Sequence, residues 1–260
     1  MALNWKQEIK RSGNLLWLLV LRDLRVRYRG SLLGYLWSMM NPLLFMAVLS
    51  FVFSHLMRFK SIENFSAFLL SGILVWNLFG QSVGAGVNSI VANGALLRKV
   101  KVPIMVFPAA VVGSVFINFC LALIPYFFLA MWGGVKPTIW LLSLPFLLLP
   151  FVVFTYGITV FVASLNVRFR DVGHVMEPAL QILFYATPIV YPLSILPEKY
   201  HVFAWLNPIT PFVTNARAVL YEGGAPAFGS VAVTYGLAVV ALMLGASVYR
   251  KMRYTFVYHV

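Results

Sequence analysis

IMVFPAAVVGSVFINFCLALIPYFFLAMW, residues 104–132, decides the fold class. A helix needs about 20 mostly apolar residues to cross a bilayer, and this stretch supplies them without an Asp, Glu, Lys or Arg. Five further stretches read the same way, at 32–57, 65–91, 138–165, 175–192 and 228–249, the fifth span (175–192) being the shortest. Of the 260 residues, 61% are hydrophobic and only 10% charged, against roughly 25% charged in a soluble domain. Mean hydropathy is +0.87. A water-soluble fold cannot hide that much apolar surface, whereas lipid replaces water around a membrane protein.

The basic residues fix an expected orientation. Residues 1–31 carry Lys6, Lys10, Arg11, Arg22, Arg25, Arg27 and Arg29. Arg98, Lys99 and Lys101 follow the second span, Arg168 and Arg170 the fourth, and Arg250, Lys251 and Arg253 the sixth. Only Arg58, Lys60, Lys136, Lys199 and Arg217 fall on the other side. Cytoplasmic flanks attract Lys and Arg, so both termini are expected in the cytoplasm, which six spans permit. The net charge of +13 sits in short clusters between apolar runs, a pattern of membrane flanks and not of nucleic-acid binding.

Residues 1–31 are read as a cytoplasmic interface helix, separate from the span domain over 32–260. Apolar and basic residues mix through WLLVLRDLRVRYR (17–29). Trp17, Leu21, Leu24 and Tyr28 recur at helical spacing, as do Arg22, Arg25 and Arg29. That is an amphipathic helix in the interface. The short run Leu15–Leu21 leads straight into Arg22 and Asp23, without the small-residue site of a cleaved signal. Residues 193–227 are too apolar for a solvated loop and too rich in Pro for a span. They read as re-entrant half-helices at the outer face, since broken backbone at membrane depth must be buried in protein or line a water-filled cavity. A loop resting on the interface through its aromatics is the plainer alternative. The fold class is therefore an all-α integral membrane protein.

Catalytic constellations are missing from the sequence. The seven acidic residues form no metal or acid–base pair; the nearest two are Asp171 and Glu177. There is no phosphate-binding GxxxxGK[ST] loop and no G-x-S-x-G elbow. The single cysteine, Cys120, and four scattered histidines suggest no metal site. What the spans carry is mild polarity on helical faces: Asn77, Gln81, Gly84 and Asn88 in the second, Gly113, Ser114 and Asn118 in the third, and Thr155, Thr159 and Asn166 in the fourth. Such faces turn away from lipid, either as glue between helices or as a pathway lining. Trp37, Phe79, Phe184, Tyr185, Tyr191 and Trp205 sit in or beside spans and suit either packing or the C–H faces of sugar rings. Glu177, just before Pro178 at the start of the fifth span, is either an anchor or a relay.

Four blocks carry a family resemblance: RDLRVRYRGSLLGYLWSMMNPLL (22–44), LLSGILVWNLFGQS (69–82), LNVRFRDVGHVMEPALQILFYATPIVYP (165–192) and LPEKYHVFAWLNPITPFV (196–213). Together they resemble the type-2 ABC exporter permeases for polysaccharides over nearly the whole chain. TPIVYP (187–192) followed by LPEKY (196–200) resembles the O-antigen branch. The resemblance implies a dimer of this chain with two copies of a separate cytoplasmic ATPase, which would hold ATP and Mg. It implies that the cargo is a polysaccharide on undecaprenyl pyrophosphate. NGALLRKVKVP (93–103) matches the family's coupling helix, so Leu97, Arg98 and Lys99 are expected to dock on the ATPase, with Arg168, Arg170 and Asp171 beside them. Arg25 and Arg29 are the expected contacts for the lipid pyrophosphate, and Trp37, Asn77, Gln81, Phe184, Tyr185 and Tyr191 the expected channel lining. No cofactor and no metal is expected on this chain, and no nucleic acid as a partner. A teichoic-acid or capsule permease is the nearest alternative; a membrane-embedded glycan-modifying enzyme is the alternative of another class.

Overall fold

The computed structural model describes residues 5–52, 64–99, 102–195 and 197–253. Among them every regular element is helical. In order they are α1 (Trp5–Arg27), α2 (Leu36–Phe51), α3 (Phe65–Gly86), α4 (Ser89–Ala92), α5 (Gly94–Lys99), α6 (Val106–Trp132), α7 (Leu144–Arg168), α8 (Asp171–Ala186), α9 (Glu198–Leu206), α10 (Thr210–Leu220) and α11 (Phe228–Met252). A 3-10 turn over Ile139–Ser143 leads into α7. Among the described residues four helices are long and apolar enough to cross a membrane: Phe65–Gly86, Val106–Trp132, Ile139–Arg168 and Phe228–Met252.

The other two expected spans are shorter. At 1.5 Å per residue, α2 and α8, with 16 residues each, reach about 24 Å, short of a hydrocarbon core about 30 Å thick. The far part of the first expected span, from residue 53, lies outside the described residues. The fifth begins at Asp171 and breaks at Thr187, because Pro188 has no N–H to continue the helix and pushes the residue before it into extended backbone. Thr187 is extended accordingly.

The core is built around α3. Leu69, Leu70, Ile73, Leu74 and Leu78 are almost wholly buried on it, and they pack with Val115, Phe119, Phe154, Phe212 and Val213 from α6, α7 and α10. Lipid offers no hydrophobic drive between helices, so close backbone approach must supply the packing. Helices α7 and α11 make the closest crossing. Gly157 faces the backbone of Ala241 and Leu242, and Gly245 faces Gly157 in return. Helix α1 lies along α6, burying Leu19, Val20 and Leu24 against Val106, Phe107 and Ala110. Gly113 makes room there, since a Cβ on it would sit 3.0 Å from Val20. The buried stripe of α1 thus runs through Leu19, Val20 and Leu24, while Trp17 is 56% exposed. The turn from α1 to α2 uses Gly30 and Gly34 with φ of +74° and +51°, backbone that glycine adopts readily.

Candidate functional site: a polar and aromatic cleft between two latched ends

A cleft of ≈ 500 Å³ opens between α2, α3 and α8. Asn41 and Phe45 come from α2, Trp76, Asn77 and Gln81 from α3, and Gln181, Phe184 and Tyr185 from α8. The aromatic rings form a connected set: Trp76 meets Phe184 edge-on at 5.4 Å, Phe45 lies 6.4 Å from Phe184, and Phe184 contacts Tyr185 at 5.2 Å. A smaller cavity of ≈ 200 Å³ adjoins it, sharing Asn41, Pro42, Asn77 and Gln81 and reaching Trp37, Tyr28 and Asn118. The structure therefore brings Trp37, Asn77, Gln81, Phe184 and Tyr185 to one continuous opening. Tyr191 lines neither cavity; its hydroxyl donates to the Tyr185 carbonyl at 3.1 Å. Phe79 does not join them; it is buried and stacked on Phe154.

The end of α1 meets one side of this opening. Arg27 donates to the Gln81 side-chain oxygen at 3.0 Å and Tyr28 to the Asn118 oxygen at 3.1 Å. Arg25 and Arg29 are exposed and line neither cavity. Arg27, the last residue of α1, is the basic residue on the wall of the smaller cavity.

One end of the bundle carries the segment expected to couple to an ATPase. Arg22 pairs with Asp23 at 2.8 Å and donates to Asn93 at 2.8 Å, and Asn93 donates back to the Ser89 carbonyl at 2.8 Å. Leu97 is half-buried, packing with Leu19 and Val20 on one side and Ile90 on the other. Arg98 and Lys99 end α5 and are exposed, as are Arg168, Arg170, Asp171 and Glu177. The Arg168 guanidinium lies 5.3 Å from the centre of the Phe169 ring. Beneath this surface Asn166, wholly buried, is a three-way joint. Its amide donates to the Val87 carbonyl and to Asn88, both at 3.0 Å, and its oxygen accepts the Gly173 N–H at 3.0 Å. It ties the end of α7, the start of α8 and the passage from α3 to α4 into one unit.

The opposite end is held by Arg217. This arginine is buried, donates to the Pro188 and Ile189 carbonyls, both at 2.9 Å, and lies 3.7 Å from the Phe68 ring centre. Burial pulls its pKa down to about 10 while Glu222 opposes the shift, so it is charged at neutral pH. Its partners are carbonyls of the turn that follows the end of α8 at Ala186. Gly72 leaves the space: a Cβ there would meet the guanidinium at 2.7 Å. Asn207 completes the tie by donating to Thr187 at 2.8 Å, and Thr187 donates to the Leu183 carbonyl at 2.6 Å.

Residues 14–221 match the family model described as ABC-2 type transporter. The chain belongs to that family. It is 36% identical over 252 residues, 96% of each chain, to the O-antigen export system permease protein RfbA of Myxococcus xanthus. It is 30% identical over 257 residues, 98% of each chain, to a Klebsiella pneumoniae protein of the same name. Similarity is weaker to the polysialic acid transport protein KpsM of Escherichia coli, 25% over 235 residues, covering 89% of this chain and 91% of the other. In this ABC-2 type chain, Arg27, Asn166, Arg217 and Gly72 do most to hold the opening and its two ends, and the sequence pattern marked only Asn166 among them. Arg217 looked like an ordinary loop cation. The signal that singles it out is its position opposite a proline-made break in another helix, which only the fold supplies.

Proposed function

We propose that this chain is the membrane-spanning subunit of an ATP-driven exporter that moves undecaprenyl-pyrophosphate-linked polysaccharide of the O-antigen type from cytoplasm to periplasm. The observation that carries this reading is the cleft between α2, α3 and α8, which combines amides with a connected set of aromatic rings. Amides exchange hydrogen bonds with hydroxyls in either direction, and aromatic faces suit the C–H faces of sugars. The near-full-length similarity to O-antigen export permeases supports the same cargo. Helices α2 and α8 then supply the two short crossings of a six-span subunit with both termini cytoplasmic. They present Leu36, Met40, Leu44, Val48, Ile182 and Tyr185 exposed. An apolar and aromatic surface of this kind fits a second copy across a shared channel. Two copies of a separate ATPase, holding ATP and Mg, bind at α5 and the α7–α8 corner.

Deleting the chain tests the cargo. Surface glycan is expected to disappear, with glycan-loaded undecaprenyl pyrophosphate retained in the cytoplasmic leaflet, both read by mass spectrometry. Normal surface glycan with nothing retained overturns the reading. The docking assignment has its own test. Reversing Arg98 and Lys99 together to Glu is expected to lower export about tenfold, within the range of typical coupling energies, while membrane insertion persists because both side chains are exposed. Pull-down of the ATPase should fall in parallel; unchanged pull-down and export remove these residues from the interface.

A further inference from the structure

Two stretches far apart in sequence carry exposed basic residues at one end of the bundle: α5, with Arg98 and Lys99, and the corner from α7 to α8, with Arg168 and Arg170. Asn166 stands between them. It is 1% exposed, and each of its hydrogen-bonding groups leaves its own helix. Its amide donates to the Val87 carbonyl and to Asn88 Oδ1, and its oxygen accepts the Gly173 N–H. The tie continues towards α5. Asn88 precedes α4, and its carbonyl accepts the Ala92 N–H at 2.9 Å. Asn93, the one residue between α4 and α5, clasps both: its side chain donates to the Ser89 carbonyl at 2.8 Å, and its own carbonyl accepts the N–H groups of Leu96 and Leu97 at 3.0 and 3.1 Å. On the α8 side the fit requires glycine, because a Cβ at Gly173 would lie 3.2 Å from Asn166 Oδ1 and 3.6 Å from Asn88 Oδ1.

Apolar packing bridges part of the same region. Leu97 packs with Ile90 and Val167, but among the described residues that cluster contains none from α8. Apolar contacts tolerate sliding, whereas hydrogen bonds depend on direction, and a fully satisfied buried network holds one arrangement. The polar joint is therefore what fixes the start of α8 against the α3–α4 passage. We propose that Asn88, Asn166 and Gly173 lock α5 and the α7–α8 corner into a single docking plate, which the ATPase moves as one body. Helices α3 and α8 leave this plate and supply Asn77, Gln81, Phe184 and Tyr185 to the cleft, so two of its walls are driven in register. Asn88 and Asn166 are then positioning residues for export: they touch no cargo and act through the helices they join. The proposal rests on the export reading for the ATPase below the plate; the joint itself rests on the hydrogen bonds.

The test uses the complete transporter, permease with its ATPase, in lipid nanodiscs. The one cysteine, Cys120, is replaced by Ala, and nitroxides are placed at Ala92 on α4 and Val175 on α8, both exposed. Dipolar EPR reads their separation without nucleotide and with the ATPase trapped by vanadate. The parent is expected to give one narrow distribution, the same in both states. Asn88→Ala removes a single bond of the joint from an exposed side chain, so the fold should survive. In that variant the distribution is expected to change on trapping, and surface glycan in cells to fall about tenfold, while ATP hydrolysis stays at the parent level. Asn88→Asp keeps the accepting oxygen and should restore the parent in all three readouts. Gly173→Ala presses on the same joint from the other side, and combined with Asn88→Ala it should lose no more than the more severe single variant. A parent distance that changes on trapping overturns the proposal, as does an Asn88→Ala variant that matches the parent. Hydrolysis and export falling in proportion, with a lowered melting temperature, would make the joint merely structural. The deletion experiment separates the two claims. Asn88-dependent distances with surface glycan unaffected by deletion keep the plate and remove the cargo. Loss of surface glycan on deletion, with distances indifferent to Asn88, does the opposite.

Discussion

Gly157→Leu is expected to prevent the folded protein from accumulating in the membrane. An ideal Cβ at Gly157 would lie 2.5 Å from the Ala241 carbonyl carbon and 2.6 Å from both its oxygen and the Leu242 nitrogen. These are backbone atoms of α11, which cannot rotate aside as a side-chain end can. To admit even a methyl group, α7 and α11 must separate, and separation forfeits the packing that holds two lipid-bathed helices together. Ala241 and Gly245 on the facing helix are spaced four apart, the small-residue pattern that permits this approach. The penalty should exceed about 4 kcal/mol, the range reached by overpacking a rigid site. Fluorescence-detected size exclusion of the tagged protein measures it: the monodisperse peak should vanish for Leu and shrink for Ala. A wild-type peak and melting temperature for Leu would mean that the two helices do not cross at Gly157.

Arg217→Ala should produce the second largest loss. It removes two charge-assisted hydrogen bonds, to the Pro188 and Ile189 carbonyls, and the stacking on Phe68. Two freed carbonyls inside the protein cost together about 3 kcal/mol or more. Arg217→Lys should recover little, because an ammonium is a single point and cannot span two carbonyls while stacking on a ring. Gly72→Ala should act in the same direction in the wild type, through its 2.7 Å approach to the guanidinium. In the Arg217→Ala background the same change should cost much less. Thermal unfolding of the four proteins closes the cycle; strictly additive losses would show that Gly72 and Arg217 do not depend on each other.

The sequence was most informative where one physical effect dominates. Helices α3, α6, α7 and α11 are long and apolar, and hydropathy alone places them within a few residues of where they lie. It was least informative where two effects compete. TPIVYP is apolar enough to extend a span, yet Pro188 stops α8 at Ala186 and makes a turn. The 3.6-residue spacing of Asn77 and Gln81 put them on one face, and that face does meet the cleft. The same spacing put Trp17 with Leu21 and Leu24, but the residues buried on α1 are set by what α6 offers, a groove at Gly113 and Ala110. Arg25 differs from Arg27 by a rotation about the axis of α1, which the contact with α6 fixes, and Arg29 lies past the end of α1 in the turn that follows. Arg217 was illegible for a related reason: its role depends on carbonyls in a different helix, and no local pattern marks an arginine that will be buried.

The two ends of α8 give that helix a mechanical character. At one end Asn166 pins it to the corner that carries α4 and α5; at the other Arg217 and Asn207 pin the broken turn to α10 and the turn before it. Between the pins run 16 residues, with Pro178 inside the helix. Pro178 has no N–H for the carbonyl one turn back, so the helix carries a built-in point of bending between its two pins. The distance between the pins is nevertheless set to the single residue. One residue more would lift the upper pin by about 1.5 Å and swing it by about 100°, carrying Thr187 away from Asn207 and the Pro188 and Ile189 carbonyls out of reach of the guanidinium.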